Sequence, residues 1–468
     1  MKISRSSAIR NATRLLFLST LFYAPWAYGC TTAESIVGLD WLLGAVVVLW
    51  LGDLLIRRER PHAPTTLAIL VGLLLAFGWG MALNGRAVYD PVFAVFMPAA
   101  HSIAALPGSY DAVNSVAFMI RCTVLLLSLL FVADLVQRPQ WLLRLWYAVA
   151  AAGASIALLG LIQKASGARM IFWGDWLATE PPSFFAAYFY HANAGAYLNL
   201  AFPPTVALAA RAFGTPTSPV VRALWATAAL AVTVAILANT SRAAQFLGVC
   251  LMLIVLVMSR RQLSRAIRGA EKGTLIVGAM VAIVALYAVA QASRLDKPFK
   301  RWAETSSSVA KDSRWGATLT ALPAARDAGW FGFGPASFRS VFPHYVEAPE
   351  SKVEGTWRFL HEDYLQTIIE WGWIGGTLWA VLFFGGMMVA WRNFYRARET
   401  WLPRQRVLIP LLLLALASVA VHALVDFPLQ IASIQLYVVT YLGVCWGACS
   451  WKQEEGKHVK LEIRSKRS

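Results

Sequence analysis

Charged side chains are scarce in this chain. They make up 14% of its 468 residues, whereas hydrophobic side chains make up 58% and the mean hydropathy is +0.55. A soluble domain is nearer to about one quarter charged. The long apolar runs, such as Leu67 to Leu83 and Val407 to Val421, also lack the alternating polar face of a soluble core. Because backbone polar groups in lipid must be satisfied within the segment, these runs predict membrane-spanning helices.

Cysteine is also rare, with five in the chain. Most of the cysteines fall within the predicted spans, and none has the spacing of a metal site, so neither a disulfide framework nor a zinc site is predicted. The five are Cys30, Cys122, Cys250, Cys445 and Cys449. Acidic residues are fewer than basic ones, 25 against 42, which leaves a formal net charge of +17.

The location of the basic residues argues against nucleic acid as the reason for this charge. Lysine and arginine gather in short segments between alternate spans, which is the positive-inside pattern of cytoplasmic connections. These segments are Lys2–Arg14, Arg57–Arg60, Arg260–Lys272, Arg392–Arg406 and Lys452–Arg467. Both termini are therefore predicted to be cytoplasmic. The first span follows a basic stretch without a clear cleavage site, so we expect it to remain uncleaved.

The sequence predicts an all-α fold, a polytopic integral membrane protein of about twelve transmembrane helices with one large extracytoplasmic loop. The spans are placed at 14–31, 36–56, 65–83, 113–135, 141–163, 191–210, 222–240, 241–259, 273–291, 367–391, 407–425 and 431–450. The predicted organisation is nine membrane helices in 1–291, a polar lobe in 292–366, three further membrane helices in 367–450 and a basic cytoplasmic tail in 451–468.

The polar lobe contains the best candidates for chemistry. It ends in Leu360-His361-Glu362-Asp363-Tyr364-Leu365, directly before an apolar helix. An imidazole beside carboxylates at a membrane surface suits a general base, although His361 also fits a structural hydrogen bonder and the carboxylates fit helix caps. Arg314, in the same lobe, is either a solvated side chain or an anion clamp, since a guanidinium binds two phosphate oxygens at once.

Further candidates lie at the ends of spans or within them. Arg242 stands at the junction of two spans, either as a snorkelling side chain or as a second clamp. His191 begins a span, where an N-cap or interface role is the alternative to substrate binding. His422 and Asp426 are four residues apart, which places them on one helical face as a pair. Arg121 is a lone charge within a span, and such residues are functional candidates by default.

Taken together, these motifs resemble those of the O-antigen ligase/polymerase superfamily, and in particular its O-antigen ligases (lipid A-core:surface polymer ligases). They occur in the family's order, with the large loop in the family's place. The matching motifs are Thr240–Ala243, Ser313–Trp315, Gly332–Gly334 with Ser337-Phe338, His361–Gln366 with Glu370 and Gly372, and His422–Phe427. The span pattern agrees along the whole chain, but sharp motifs begin only at Arg242. Family members often have Asn or Ser after the histidine, where this chain has Glu362.

The resemblance implies a GT-C-like membrane glycosyltransferase that is metal-independent, uses no cofactor and works at the periplasmic face of a bacterial inner membrane. Its donor would be an undecaprenyl diphosphate-linked glycan, and a ligase would transfer this O-antigen to a sugar hydroxyl of lipid A-core, with inversion. The family's essential loop histidine falls on His361, and its two diphosphate-associated arginines fall on Arg242 and Arg314. The other candidates, expected to contact substrate, are Arg121, His191, Glu362, Asp363, His422 and Asp426.

Two alternatives remain open from the sequence. An O-antigen polymerase or a protein O-oligosaccharyltransferase would share these motifs, although the protein transferases usually carry a larger C-terminal region. A transporter of lipid-linked sugars belongs to a different class and needs ionisable groups along a path across the bilayer. Here the candidates cluster at the outer side of the membrane instead, with Arg121 as the main exception. Apart from the two glycolipids, membrane lipids are the only partners that the sequence predicts.

Overall fold

A computed structural model describes residues 5–90, 92–93, 95–174, 183–269, 313–347, 353–397, 399 and 401–451. Over these ranges the regular secondary structure is helical apart from one short two-stranded hairpin, which confirms the predicted all-α class. The helices are α1 (Arg5–Trp26), α2 (Ala33–Arg57), α3 (Thr65–Leu83), α4 (Ala112–Leu135), α5 (Pro139–Ala165), α6 (His191–Gly214), α7 (Pro219–Ala238), α8 (Arg242–Gly269), α9 (Ser313–Ala328), α10 (Phe338–Val346), α11 (Asp363–Ala397), α12 (Pro403–His422) and α13 (Ala432–Gly447).

Nine of the helices in the described ranges are long and apolar enough to cross a membrane. They are α2, α3, α4, α5, α7, α8, α11, α12 and α13. Helices α1 and α6 coincide with two further predicted spans, but their polar residues lower their hydropathy. The predicted span 273–291 and most of the basic tail 451–468 lie outside the described residues, as does the first part of the polar lobe, 292–312. The polytopic architecture is confirmed.

Helix α6 lies at the centre of the bundle, where it packs against α5, α7 and α12. Buried tyrosine hydroxyls connect it to its neighbours. Tyr197 and Tyr437 share a hydrogen bond of 3.0 Å, and the Tyr437 hydroxyl also donates to the Leu21 carbonyl at 2.8 Å. Tyr441 donates to the Leu200 carbonyl at 2.8 Å. Because a buried hydroxyl without a partner is costly, these bonds fix α6 and α13 against α1.

Two short strands, β1 (Ala87–Asp90) and β2 (Val95–Pro98), form an antiparallel hairpin between α3 and α4. Ala87 lies opposite Pro98, and Asp90 lies opposite Val95. The sequence predicted only an outward connection here. The hairpin was missed because its strands are apolar on both faces and so lack the alternation that marks a strand.

A small lobe made by α9 and α10 rests on the first turns of α11. Its core consists mainly of buried alanine and phenylalanine side chains together with Leu360 and Ile369. Leu360 is fully buried there. The residue before His361 is therefore anchored in the lobe, while the residues after it begin α11.

Helix α11 is broken at Gly372, which has a φ of +62°. The Trp373 and Ile374 N–H groups donate to the carbonyls of Gly329 and Trp330 instead of to the helix, at 3.3 and 3.1 Å. A Cβ on Gly372 would lie 2.4 Å from the Trp330 carbonyl oxygen, so the position requires glycine.

The helix carbonyls released by this break are used by the turn that joins α9 to α10. Ile369 and Glu370 accept backbone hydrogen bonds from Phe333 and Gly334, each at 2.9 Å. In this turn Gly334 has a φ of +106°, in the left-handed region that favours glycine. The lobe and α11 are therefore joined along their backbones.

Candidate active site

His361 and Asp426 are brought together by two separate elements. His361 lies two residues before the start of α11, and Asp426 lies in the loop between α12 and α13. Nδ1 of His361 is 3.0 Å from Oδ1 of Asp426, and among the described residues Nε2 makes no hydrogen bond. The aspartate side chain is 3% exposed and the imidazole 21%. The carboxylate of the pair is therefore shielded from solvent, while the imidazole is partly accessible.

The backbone of His361 has a φ of +62°, in the left-handed region. For a residue with a Cβ this conformation costs about 1–2 kcal/mol, so its surroundings must enforce it. On one side the Leu360 N–H donates to Oε1 of Gln366 at 3.0 Å. On the other the Asp363 N–H donates to the Ala423 carbonyl at 2.9 Å. These two bonds fix the chain on both sides of the histidine.

Aromatic rings surround the imidazole. Phe427, Trp357 and Tyr190 meet it edge to face, with ring centroids 4.5, 5.9 and 6.2 Å away. Phe427 is itself stacked between Tyr190, at 5.6 Å, and Phe359, at 4.7 Å. Offset and edge-to-face contacts of this kind are favourable and directional. They restrict the rotation of His361 about its side-chain bonds.

Arg314 reaches the same carboxylate from the first turn of α9. Its NH1 is 3.8 Å from Oδ2 of Asp426, and its NH2 donates to the Tyr190 hydroxyl at 2.6 Å. Tyr190 donates in turn to Oδ2 of Asp426 at 3.0 Å. The Arg314 side chain is 40% exposed. One buried carboxylate thus orients both a candidate base and a guanidinium that faces the solvent side.

The electrostatics keep Asp426 ionised. Burial alone would raise its pKa, but the hydrogen bond from His361 and the positive charge of Arg314 outweigh burial and hold the pKa below its usual range. Burial and the charge of Asp426 raise the pKa of Tyr190, which stays a neutral hydrogen-bond donor. The site therefore contains one fixed negative charge and one fixed positive charge.

Asp363 lies beside the histidine but contacts the backbone and a buried amide. Its carboxylate accepts from the Leu429 N–H at 2.9 Å and from Nε2 of Gln430 at 3.1 Å, and the residue is 1% exposed. It fastens the start of α11 to the loop that holds Asp426. Its expected contact with substrate stays a prediction, whereas its part in placing Asp426 is visible.

Glu362 accepts hydrogen bonds from the N–H groups of Tyr364 and Leu365, so it caps the first turn of α11. Burial raises its pKa against the opposing effect of these two bonds. The helix-cap alternative for this carboxylate is confirmed, and the partner of His361 is Asp426 instead.

The expected pair of His422 and Asp426 is close in the structure, since the Asp426 N–H donates to the His422 carbonyl at 3.1 Å just beyond the end of α12, but among the described residues the two side chains share no hydrogen bond. Asp426 turns to His361. His422 is 1% exposed, and neither of its ring nitrogens has a hydrogen-bond partner within the described ranges.

His191 and Arg242 stand at the helix starts nearest to Tyr190. His191 begins α6, and its Nδ1 lies 2.7 Å from the Ser183 hydroxyl. Arg242 begins α8 and is half-buried. Nδ2 of Asn239 donates to the His191 carbonyl at 2.8 Å, which ties the α7–α8 turn to the start of α6. Both residues lie at the end of the bundle that holds His361, and their contacts with substrate stay predictions.

Arg121 lies nine residues into α4 and apart from this cluster. It borders a largely apolar cavity of about 460 Å³ between α4, α11 and α13. Trp371, Trp379 and Phe383 line the cavity, and Gln430, which binds Asp363, stands at its border. The cavity therefore begins beside the His361 loop and continues along the helices.

Several motif residues act as supports behind the histidine. Glu370 accepts hydrogen bonds from the N–H groups of Ala336 and Phe338 and from Nε2 of Gln366. Gln366 holds the backbone at Leu360 through its other side-chain atom. The motif thus connects the lobe to the residue before His361.

Tyr190 and Phe427 were not among the sequence candidates. Phe427 belongs to the quoted His422–Phe427 motif, and Tyr190 directly precedes His191, but neither residue type signals a site by itself. Over the described ranges, no group of three or more His, Cys, Asp and Glu side chains is arranged to hold a metal ion.

Part of the chain that contains this site matches a known protein family. Residues 226–380 match the family described as O-antigen ligase. The match begins in α7, ends in α11 and includes Arg242, Arg314 and His361. It spans about a third of the chain and confirms the resemblance to the O-antigen ligase/polymerase superfamily. It supports a membrane enzyme of the ligase/polymerase type. No curated protein matches the chain.

Proposed function

We propose that this protein is an O-antigen ligase, a glycosyltransferase that moves O-antigen polysaccharide from undecaprenyl diphosphate to a sugar hydroxyl of lipid A-core. One observation supports this most strongly. His361 is held through Nδ1 by the buried Asp426, and Arg314 lies against the other oxygen of the same carboxylate. This arrangement joins a general base to an anion-binding group, the two elements that attack by a hydroxyl on a glycosyl diphosphate requires.

In this proposal His361 is the general base. The acceptor hydroxyl gives its proton to Nε2 as its oxygen forms a bond to the anomeric carbon. Asp426 selects the tautomer that carries hydrogen on Nδ1 and stabilises the imidazolium that forms, as the carboxylate of a catalytic triad does. The aromatic rings restrict the orientation of the imidazole through edge-to-face contacts and leave Nε2 available to accept the proton.

The bond from the anomeric carbon to the diphosphate oxygen breaks in the same step, and its electron pair leaves with the diphosphate. Arg314 and Arg242 are proposed to bind that group, because guanidiniums match phosphate oxygens in pairs. Each stands in the first turn of a long helix, where the backbone dipole also favours an anion. Attack opposite the leaving group inverts the anomeric centre.

The cavity between α4, α11 and α13 is proposed to take part of the polyprenyl chain. Its lining is mostly apolar, and Trp373 and Phe384, two of its lining residues, are 55% and 47% exposed on the outside of the bundle. An isoprenoid tail gains stability by leaving one apolar environment for another only if the groove fits it closely. Arg121 would lie near the chain and not at the diphosphate.

We propose that the His361 site faces the periplasm. The basic segments predict that the ends carrying Arg57 and Arg138 face the cytoplasm. The His361 site lies at the opposite ends of the helices, and would therefore work at the periplasmic face of the inner membrane. The lobe formed by 292–366 and the helices around it would serve as the periplasmic acceptor surface.

The test compares donor binding with transfer in purified protein. His361→Ala should lose nearly all transfer but keep donor binding, whereas Arg314→Lys should weaken both. Removing one such charged donor typically costs about 2–4 kcal/mol of transition-state stabilisation. The matched controls are His344→Ala and Arg339→Lys, two exposed residues of α10, which should leave both quantities unchanged. Equal loss of binding and transfer in His361→Ala would contradict a base and make the histidine a ligand.

Loss of the gene in its host separates the ligase from its relatives. Lipid-linked polymer accumulating beside bare lipid A-core supports the ligase. Core that carries a single repeat unit indicates a polymerase, and normal lipopolysaccharide would reject both assignments.

A further inference from the structure

A second cavity, which is lined mainly by charged and polar side chains, lies at the opposite end of the bundle from His361. Its volume is about 250 Å³, and it is bordered by the start of α1, the ends of α2 and α4, and the turn before α5. Helix α4 runs from the His361 side, where the Ser340 hydroxyl donates to Asp111, to this cavity, which Asp134 borders. At about 1.5 Å per residue its 24 residues separate the two sites by roughly 36 Å.

Three arginines border this cavity without a carboxylate of their own. Arg14 is 7% exposed, and its guanidinium stacks on the Trp141 ring at 4.9 Å. Nε of Arg10 is buried and, in the part of the chain that the structure describes, has no hydrogen-bond partner. Within the described residues, none of Arg10, Arg14 and Arg138 forms a salt bridge. A buried guanidinium has five donors to satisfy, so this arrangement is costly unless an anion enters.

The three acidic residues that line the cavity are already engaged, and one of them, Glu59, pairs with Arg57. Asp53 pairs with Arg57 at 2.7 Å. Asp134 accepts from Nε1 of Trp50 at 3.2 Å and from the His62 N–H at 2.9 Å. The carboxylates thus bind other donors.

The three guanidiniums also repel one another. Burial and the positive charge of Arg10 lower the pKa of Arg138. A bound anion would offset this repulsion and give these guanidiniums acceptors of their own.

We propose that Arg10, Arg14 and Arg138 form a binding site for a phosphate group on the face of the protein opposite His361. Planar guanidiniums bind the oxygens of a phosphate in pairs. A basic pocket between membrane helices at this level is suited to the headgroup of an anionic phospholipid. Trp50 lines the same cavity, and Trp141 stacks against Arg14. Tryptophan favours the membrane interface, where such headgroups lie.

This inference does not depend on the transfer reaction, so the experiment measures binding. The full-length protein is placed in nanodiscs of phosphatidylcholine, with or without phosphatidylglycerol, and its melting temperature is recorded. A second arm adds inorganic phosphate to the phosphatidylcholine discs. Mass spectrometry of the detergent-released protein counts retained phosphatidylglycerol.

The variants are Arg10→Gln with Arg138→Gln, both away from the buried core, and Arg14→Lys, which keeps the charge. Arg60→Gln is the matched control, because Arg60 is an exposed arginine of the same face that does not border the cavity. Each lost guanidinium should weaken binding by about tenfold or more.

Stabilisation by phosphatidylglycerol that the double variant loses and the control keeps would support the site with a lipid as its source. Stabilisation by inorganic phosphate alone, with the same dependence on the arginines, would support the site with a soluble source. Equal lipid retention in the wild type, the double variant and the control would overturn the proposal. Should the double variant unfold, unchanged retention in Arg14→Lys would overturn it as well.

Discussion

The substitution Asp426→Asn isolates the part of the site that the structure defines best. The carboxylate accepts from Nδ1 of His361, from the Tyr190 hydroxyl and from the Phe427 N–H, each at 3.0 Å. Asparagine has nearly the same shape, but its amide nitrogen donates. If that nitrogen faces Nδ1, the imidazole must place its hydrogen on Nε2, and the nitrogen that should accept the proton can no longer do so.

The expected magnitude follows from these contacts. A hydrogen bond to a charged group contributes about 1.5–3 kcal/mol, so losing the bond to His361 alone should slow transfer by roughly tenfold to 150-fold. The wrong tautomer adds to this loss. In a serine protease triad the equivalent change lowers kcat by about 10⁴. We therefore expect a decrease of between about 10² and 10⁴ in the transfer rate.

The assay measures transfer and donor binding in purified protein, with the melting temperature recorded for each variant. The control is Asp327→Asn, an exposed carboxylate of α9 that accepts from the Tyr345 hydroxyl at 2.7 Å and lies outside the site. It should transfer at the wild-type rate. Transfer within threefold of wild type by a folded Asp426→Asn protein would refute the role of this carboxylate in orienting the base.

Three further predictions concern the supports of the site. Because the hydrogen bond from His361 and the charge of Arg314 hold the pKa of Asp426 below its usual range despite burial, this carboxylate should stabilise the fold above pH about 3.9. That stabilisation should be lost as pH falls through the native pKa, so the melting temperatures of wild type and Asp426→Asn should converge in acid. Tyr190→Phe should weaken donor binding about fivefold to tenfold, since the bridge to the guanidinium is lost, while Tyr345→Phe should not. Gly372→Ala should lower the melting temperature by several degrees. Gly52→Ala, inside α2 and with nothing within 4 Å of the new Cβ, should not lower it.

Much of the scaffold was predictable because hydropathy, length and charge asymmetry act locally along the chain. The spans were predicted from apolar runs near twenty residues long, a length that matches the hydrocarbon core of a bilayer. The exceptions have physical causes. Helix α6 lies inside the bundle and carries Asn193 and Asn199, so it does not meet the hydropathy of a lipid-facing span. The hairpin formed by β1 and β2 depends on cross-strand pairing, which one apolar segment does not reveal.

The site was only partly predictable, because its contacts join residues that are distant in the chain. His361 and Arg314 were found through residue chemistry and family resemblance. The partner of His361 was missed, since Asp426 is 65 positions away and its own motif suggested His422. Tyr190 is 124 positions from Arg314 and has no chemical signature as a bridge. The four-residue spacing places Asp426 one turn after His422, where its N–H donates to the His422 carbonyl, but spacing does not show that its carboxylate binds His361.

The motif around His361 contains more residues than the proposed reaction uses, because most of them hold the histidine in position. A histidine at φ +62° is strained, and strain of about 1–3 kcal/mol persists only where neighbours enforce it. Gly372 breaks α11 so that the lobe can bond to it, and Glu370 and Gln366 transmit that attachment to the residue before the histidine. Asp363 fixes the loop of Asp426 on the other side. The reactive groups are thus few, and the surrounding polar residues set the position and direction of the imidazole.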